Sequence, residues 1–188
     1  MKKICKTKLT LLLVLLLITT NAIAQQSEKT ADDYVRLGVE AQKAGKFEEA
    51  LQQYTEALKL DPKNFGAHFN SAGCYMALQK PEQALSFFKT AAAMEPGDAI
   101  VQFSLGHAYG ATGRTLEAID ALKEAVRLDP KLVNAHRALG VFYGVAGRND
   151  EALRELNAAL QLQENDAAIL YELGSQHAKA GSFENAVE

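Results

Sequence analysis

The chain repeats itself every 34 residues, and no other feature restricts its folding so tightly. Pro62, Pro96 and Pro130 stand on this lattice, and Tyr75, Tyr109 and Tyr143 stand on a second. Ala50, Ala84, Ala118, Ala152 and Ala186 form a third, and Ala57, Ala91, Ala125 and Ala159 a fourth. Gly38, Gly106, Gly140 and Gly174 share the spacing, with Ala72 at the vacant node. Unrelated residue types obeying one period describe a single supersecondary unit that is copied and stacked. The segments EALKLDP (56–62), TAAAMEP (90–96) and EAVRLDP (124–130) show how a unit ends. A helix-forming run meets an acid-Pro pair, where the proline ring and missing N–H stop the helix and press the preceding residue into extended backbone. The fourth unit closes instead on Gln163-Glu164-Asn165-Asp166, where the Asn-Asp pair must turn the chain by its own propensity.

Each unit also has an internal break. Gly45, Gly113, Gly147 and Gly181 occupy its fifteenth position, where a helix end favours a residue free to take positive φ. The second unit has Gln79-Lys80-Pro81 there, so its turn is expected to be built differently, with Pro81 suited to open the next helix. Gly or Ala at the eighth position and Ala at the twentieth let two helices approach closely; Ala at the twenty-seventh admits the next unit.

Tyr34-x-x-Leu37-Gly38, Leu105-Gly106-x-x-Tyr109 and Leu139-Gly140-x-x-Tyr143, with the alanines and prolines that follow, resemble the tetratricopeptide repeat (TPR). The resemblance implies an all-α, right-handed α-solenoid of stacked helix–turn–helix units. It covers residues 31–188, as units 31–64, 65–98, 99–132, 133–166 and an unfinished 167–188. The last segment, from Gly181 to Glu188, lacks the polar helix that seals such arrays. The expectation is therefore a chain that continues past Glu188, and the alternative function is a targeting or regulatory repeat region of a larger enzyme or assembly factor. A structural alternative is self-association through the uncapped C-terminal repeat.

Residues 1–24 stand apart from the array. A basic start, MKKICKTK, precedes the apolar LTLLLVLLLI, and Ala22-Ile23-Ala24 supplies a small-residue cleavage pattern. The apolar segment 9–24 is shorter than the roughly 20 residues of a spanning helix. This reads as a signal peptide cleaved after Ala24 and followed by a short linker, 25–30, which places the mature chain in the periplasm or outside the cell, with an uncleaved anchor as the alternative. Its removal takes Lys2, Lys3, Lys6 and Lys8 and no acid, so 20 basic residues fall to 16 against 23 acidic, and the net charge moves from −3 to −7. That sign repels phosphate backbones and argues against a nucleic-acid partner. Cys74 is then the single thiol, which excludes an internal disulfide.

Catalytic signatures are missing: there is no HExxH, GxSxG, CxxC or P-loop. No two histidines have the spacing of metal ligands on one helix turn. His68 and His136, both at the fourth position of their units, and His177 read as packed and satisfied interhelix side chains, and Cys74 as a small buried hydrophobe. The expected function is accordingly a non-enzymatic interaction scaffold with no cofactor and no metal.

What remains is a surface. Positions 2, 5, 9 and 12 of the first helix share a face, and in the family resembled that face lines a concave groove that holds peptides. Carried over, the groove presents Val35, Val39 and Gln42; Phe69, Asn70, Gly73 and Met76; Phe103 and His107; Arg137 and Val141; Tyr171 and Ser175. This lining is more apolar than a solvated face requires, and such clusters mark interaction sites. Arg137 interrupts the file of aromatics and is suited to a carboxylate. The Lys and Asn pattern by which one family variant grips a terminal carboxylate is absent, Asn70 being the lone match.

Overall fold

The computed structural model describes residues 29–179 and Gly181, and these form helices joined by short turns. In chain order the helices are α1 (Ala31–Lys43), α2 (Phe47–Leu60), α3 (Phe65–Ala77), α4 (Pro81–Met94), α5 (Ala99–Ala111), α6 (Thr115–Leu128), α7 (Val133–Val145), α8 (Asn149–Leu162) and α9 (Ala167–Lys179). Odd-numbered helices, here called A, start 34 residues apart, and α1, α3, α5 and α7 each pack antiparallel on the following even-numbered B helix. Each B helix in turn meets the next A helix. Neighbouring A helices also touch, α1 on α3, α5 on α7 and α7 on α9, whereas no such A-to-A counterpart is seen between B helices of the described residues. A stack that is closer on its A side curves with the A helices inside, which is the α-solenoid.

The small residues set the helix spacing as expected. A Cβ added at Gly106 would stand 2.7 Å from Leu122 Cγ, and one at Gly140 would meet Leu156 Cγ at 2.7 Å and the Ala152 carbonyl at 3.0 Å. The partner alanines Ala50, Ala84, Ala118 and Ala152, and Ala57, Ala91, Ala125 and Ala159 behind them, are wholly buried.

The break within the unit is the same in the first four, which corrects the expectation for the second. Gly113 has φ +75°, the Arg114 amide donates to the Tyr109 carbonyl at 2.9 Å and the Gly113 amide to Gly110 at 3.0 Å, a six-to-one closure of the helix end. Gln79 adopts φ +57°, and the Lys80 amide reaches the Tyr75 carbonyl at the same 2.9 Å. The closing bonds are made by backbone, so the geometry persists without glycine and the side chain carries the strain. Pro81 does open α4, as its fixed φ allows.

Between units, Asp61 and Asp129 leave the helix in extended backbone and accept from the Lys63 and Lys131 amides at 3.0 and 2.9 Å. In the fourth unit Asn165 takes φ +61°, and Asp166 caps α9 by accepting from the Ala168 and Ile169 amides. The Asn-Asp pair therefore makes the turn, as expected. Thr30, Asn64 and Asp98 cap α1, α3 and α5 in the same manner, whereas α7 begins at Leu132 with no side-chain cap.

The first unit departs at its outer face. The third position of the later units is buried and apolar, as Ala67, Val101, Ala135 and Ile169, and the tenth holds the buried Cys74 and Ala108 in the two units that follow. In α1 these positions are Asp33 and Glu40, bridged by Arg36 at 3.3 and 3.4 Å. A polar ladder thus faces solvent where later units receive a neighbour, the pattern of a terminal repeat.

Candidate functional site

The groove residues lie on the A helices and serve two environments at once. Val35 and Val39 back onto the cluster of Ala41, Tyr54, Ala67 and Cys74; Phe69 and Met76 back onto that of Ala72, Phe88 and Leu105. Phe103 backs onto Ile119, Leu122 and Leu139. Phe69 is held by Phe65, stacked at 5.7 Å, and by Phe88, edge-on at 5.5 Å, a preferred geometry for aromatic pairs. Phe69 and Phe103 therefore thicken the core while remaining half-buried, and Phe88 behind Phe69 is buried. His107 is exposed and lies over Phe103 at 6.4 Å. Asn70, Gly73, Val141 and Ser175 are half-buried, and Tyr171 is 75% exposed.

Neighbouring rows of this face meet through small residues. Gly73 faces Gln42, whose Nε2 would lie 3.6 Å from an added Cβ, and Gln42 also accepts from the buried Tyr54 hydroxyl at 2.8 Å. Gly110 receives the ring of Phe142, and Gly144 the amide of Gln176. Glycines at the twelfth position of α5 and α7 thus let α7 and α9 each carry a larger side chain into the A helix before it, a contact that the sequence reading missed. Its signal was legible as Gly110 and Gly144 standing 34 residues apart.

Arg137 is half-buried and, among the described residues, has no carboxylate within salt-bridge reach. Arg36 has two, Arg114, Arg127 and Arg148 have one each, and the exposed Arg154 has none among the described residues.

The fourth-position side chains have a use that composition does not reveal. His68 Nε2 lies 3.0 Å from the Pro62 carbonyl, Gln102 Nε2 donates to Pro96 at 3.2 Å, and His136 Nε2 lies 3.1 Å from Pro130. Each pins a helix to the linker before it by satisfying the carbonyl of the helix-stopping proline. His136, nearly buried, also places Nδ1 2.7 Å from Glu155 Oε2 on α8, so both ring nitrogens are engaged. The carboxylate and the Pro130 carbonyl hold its pKa above the ordinary histidine value, burial opposing them. His68 has one engaged nitrogen, its Nδ1 being buried without a partner. Cys74 is a free, wholly buried thiol whose pKa burial pushes up to about 11, the opposite of an activated nucleophile. Among the described residues no group of three or more His, Cys, Asp or Glu is placed to hold a metal ion, and no helix is long and apolar enough to cross a membrane.

The family model for the cilia and flagella-associated protein 70 C-terminal domain, a TPR domain, matches residues 14–188. The chain belongs to this TPR family. No curated protein matches it. Among solved structures, MamA superposes with a TM-score of 0.79 at 24% identity, over 84% of this chain and 86% of MamA. YrrB, described as a TPR protein with an unusual peptide-binding site, gives 0.76 at 24% identity, over 89% of this chain and 86% of its own. PilF of Pseudomonas aeruginosa gives 0.73 at 24% identity, over 83% and 71%. At this identity the likeness establishes a shared TPR fold.

Proposed function

We propose that this TPR array is a non-enzymatic scaffold of the bacterial cell envelope that docks a peptide or partner helix in the groove of its A helices. The observation that carries the reading is the run of half-exposed apolar side chains Val39, Phe69, Met76 and Phe103 along that face, ending in the exposed Tyr171. A surface built only for solvent does not keep such side chains half-exposed in file. The peptide-binding site ascribed to YrrB, on the same fold, supports the reading.

The test is site-specific photocrosslinking in cells. A photoreactive phenylalanine at Tyr171 is expected to trap a discrete protein adduct, and the same group at Leu116, 68% exposed on the B helix α6, is expected to trap none. Identical adducts from both positions, or none from Tyr171, would overturn the groove assignment. Export rests on the leader, which lies outside the described residues. Terminal sequencing of the protein from the periplasmic fraction is expected to start at Gln25, and an unprocessed chain confined to the cytoplasm would refute the localisation. The self-association surface falls on the last repeat, whose residues 182–188 also lie outside the described residues.

A further inference from the structure

Arg137 is out of keeping with the chain around it. The groove residues of the second and third units, Phe69, Asn70, Gly73, Met76, Phe103 and His107, include no formal charge at neutral pH when His107 is neutral, and Val141 follows on α7. Arg137 is thus the single permanent charge among the lining residues from Phe69 to Tyr171, in a chain whose overall charge is negative. Four of the other five arginines hold carboxylates, as Arg114 holds Glu117 at 2.7 Å and Arg127 holds Glu124 at 2.6 Å, and the fifth, Arg154, is exposed with none among the described residues. Arg137 has none among the described residues, although it is half-buried. An arginine among uncharged lining residues, with no carboxylate in salt-bridge reach among the described residues, keeps its fork of N–H donors for an anion. Its planar fork matches a carboxylate, which it can hold by two parallel hydrogen bonds.

We propose that the groove selects an acidic segment, setting an apolar side chain against Phe103 and the carboxylate of an internal Asp or Glu on Arg137. This rests on the groove reading above and names its ligand class. The two anchors stand at the fifth position of adjacent A helices, α5 and α7, which touch. Packed helix axes are about 8–10 Å apart, and a ligand in polyproline II conformation advances about 3.1 Å per residue with three residues per turn, which returns every third side chain to the same side. The apolar and acidic residues of the ligand are therefore about three positions apart. An internal side chain is preferred over a chain terminus because Tyr171 continues the face on α9 beyond Arg137. A terminal carboxylate is held by several converging donors, whereas Arg137 stands alone among the lining residues in its charge. The negative charge of the rest of the chain repels the ligand except at this one position, which favours a single register.

The test is selection from a random nonapeptide library, blocked at both ends, on the purified chain, in parallel with Arg137→Gln and Tyr171→Ala and with circular dichroism to confirm that each variant remains helical. The expected result is enrichment of an apolar residue three positions from Asp or Glu by the wild type, and loss of the acidic preference alone in Arg137→Gln. Exchange of the acid for its amide in a selected peptide is expected to weaken binding about tenfold to a hundredfold. Apolar enrichment without the acid, or the same acidic preference in Arg137→Gln, would overturn the proposal and leave the groove standing. Binding that appears only when the library carries a free C-terminus would also overturn it. No enrichment at all, or enrichment unaffected by Tyr171→Ala and Arg137→Gln together, would instead remove the groove reading on which the proposal rests.

Discussion

Two glycines on A helices let one substitution be tried in opposite surroundings. Alanine in place of glycine inside a helix removes backbone entropy from the unfolded chain and gains about 0.5–1 kcal/mol. At Gly73 nothing opposes that gain, because the nearest atom to an added Cβ is Gln42 Nε2, the end of a side chain, at an ordinary 3.6 Å. Gly73→Ala should stabilise the array by the full amount, raising Tm by about 1–4 °C for a domain of this size. At Gly140 the new methyl would lie 2.7 Å from Leu156 Cγ and 3.0 Å from the Ala152 carbonyl. Leu156 is wholly buried, and a branch carbon and a backbone oxygen cannot swing aside as a flexible tip can. Overpacking of this kind costs about 1–3 kcal/mol, so Gly140→Ala should destabilise by about 0.5–2 kcal/mol. Urea and thermal unfolding followed by circular dichroism read both variants. A shift of the same sign in the two would refute the claim that the eighth position, and not helix propensity, sets the spacing of the paired helices.

The strained turn of the second unit should relax in Gln79→Gly, because a non-glycine residue in the left-handed region costs about 1–2 kcal/mol; a urea midpoint raised at unchanged slope is the expected readout. Leu132→Asp should supply α7 with the cap that Thr30, Asn64, Asp98 and Asp166 give the other A helices, raising stability by about 1 kcal/mol in the same assay. For His136, the raised pKa means that Glu155 contributes fully below the ordinary histidine value of 6.5, and that this contribution is lost as pH rises through the folded pKa. The stability advantage of the wild type over Glu155→Gln should accordingly be largest near pH 5.5 and shrink toward pH 8.5, and a constant difference across that range would contradict the imidazolium pairing.

Much of this architecture was legible because it depends on what recurs. A 34-residue lattice of glycine, alanine and proline reports helix crossings and helix ends directly, since each of those sites tolerates few side chains. Gln79 misled because the rule for that site concerns a side chain, whereas the turn is closed by the Lys80 and Gln79 amides, which any residue but proline provides. The fourth-position contacts were hidden for the complementary reason: His68, Gln102 and His136 look unrelated until the shared acceptor, a proline carbonyl, is seen. The Asp33–Arg36–Glu40 ladder could have been found by comparing units, as the two acids replace buried apolar residues, but a search for shared residues passes over positions that differ. The same logic governs the groove. A repeated residue is there to hold the stack together, so the partner must be distinguished by residues that break the period, and at the fifth position that residue is Arg137. Exchanging the two fifth-position residues, Phe103→Arg with Arg137→Phe, should therefore reverse the order of the apolar and acidic residues selected in the ligand, at a cost in stability because Phe103 also packs on Ile119, Leu122 and Leu139.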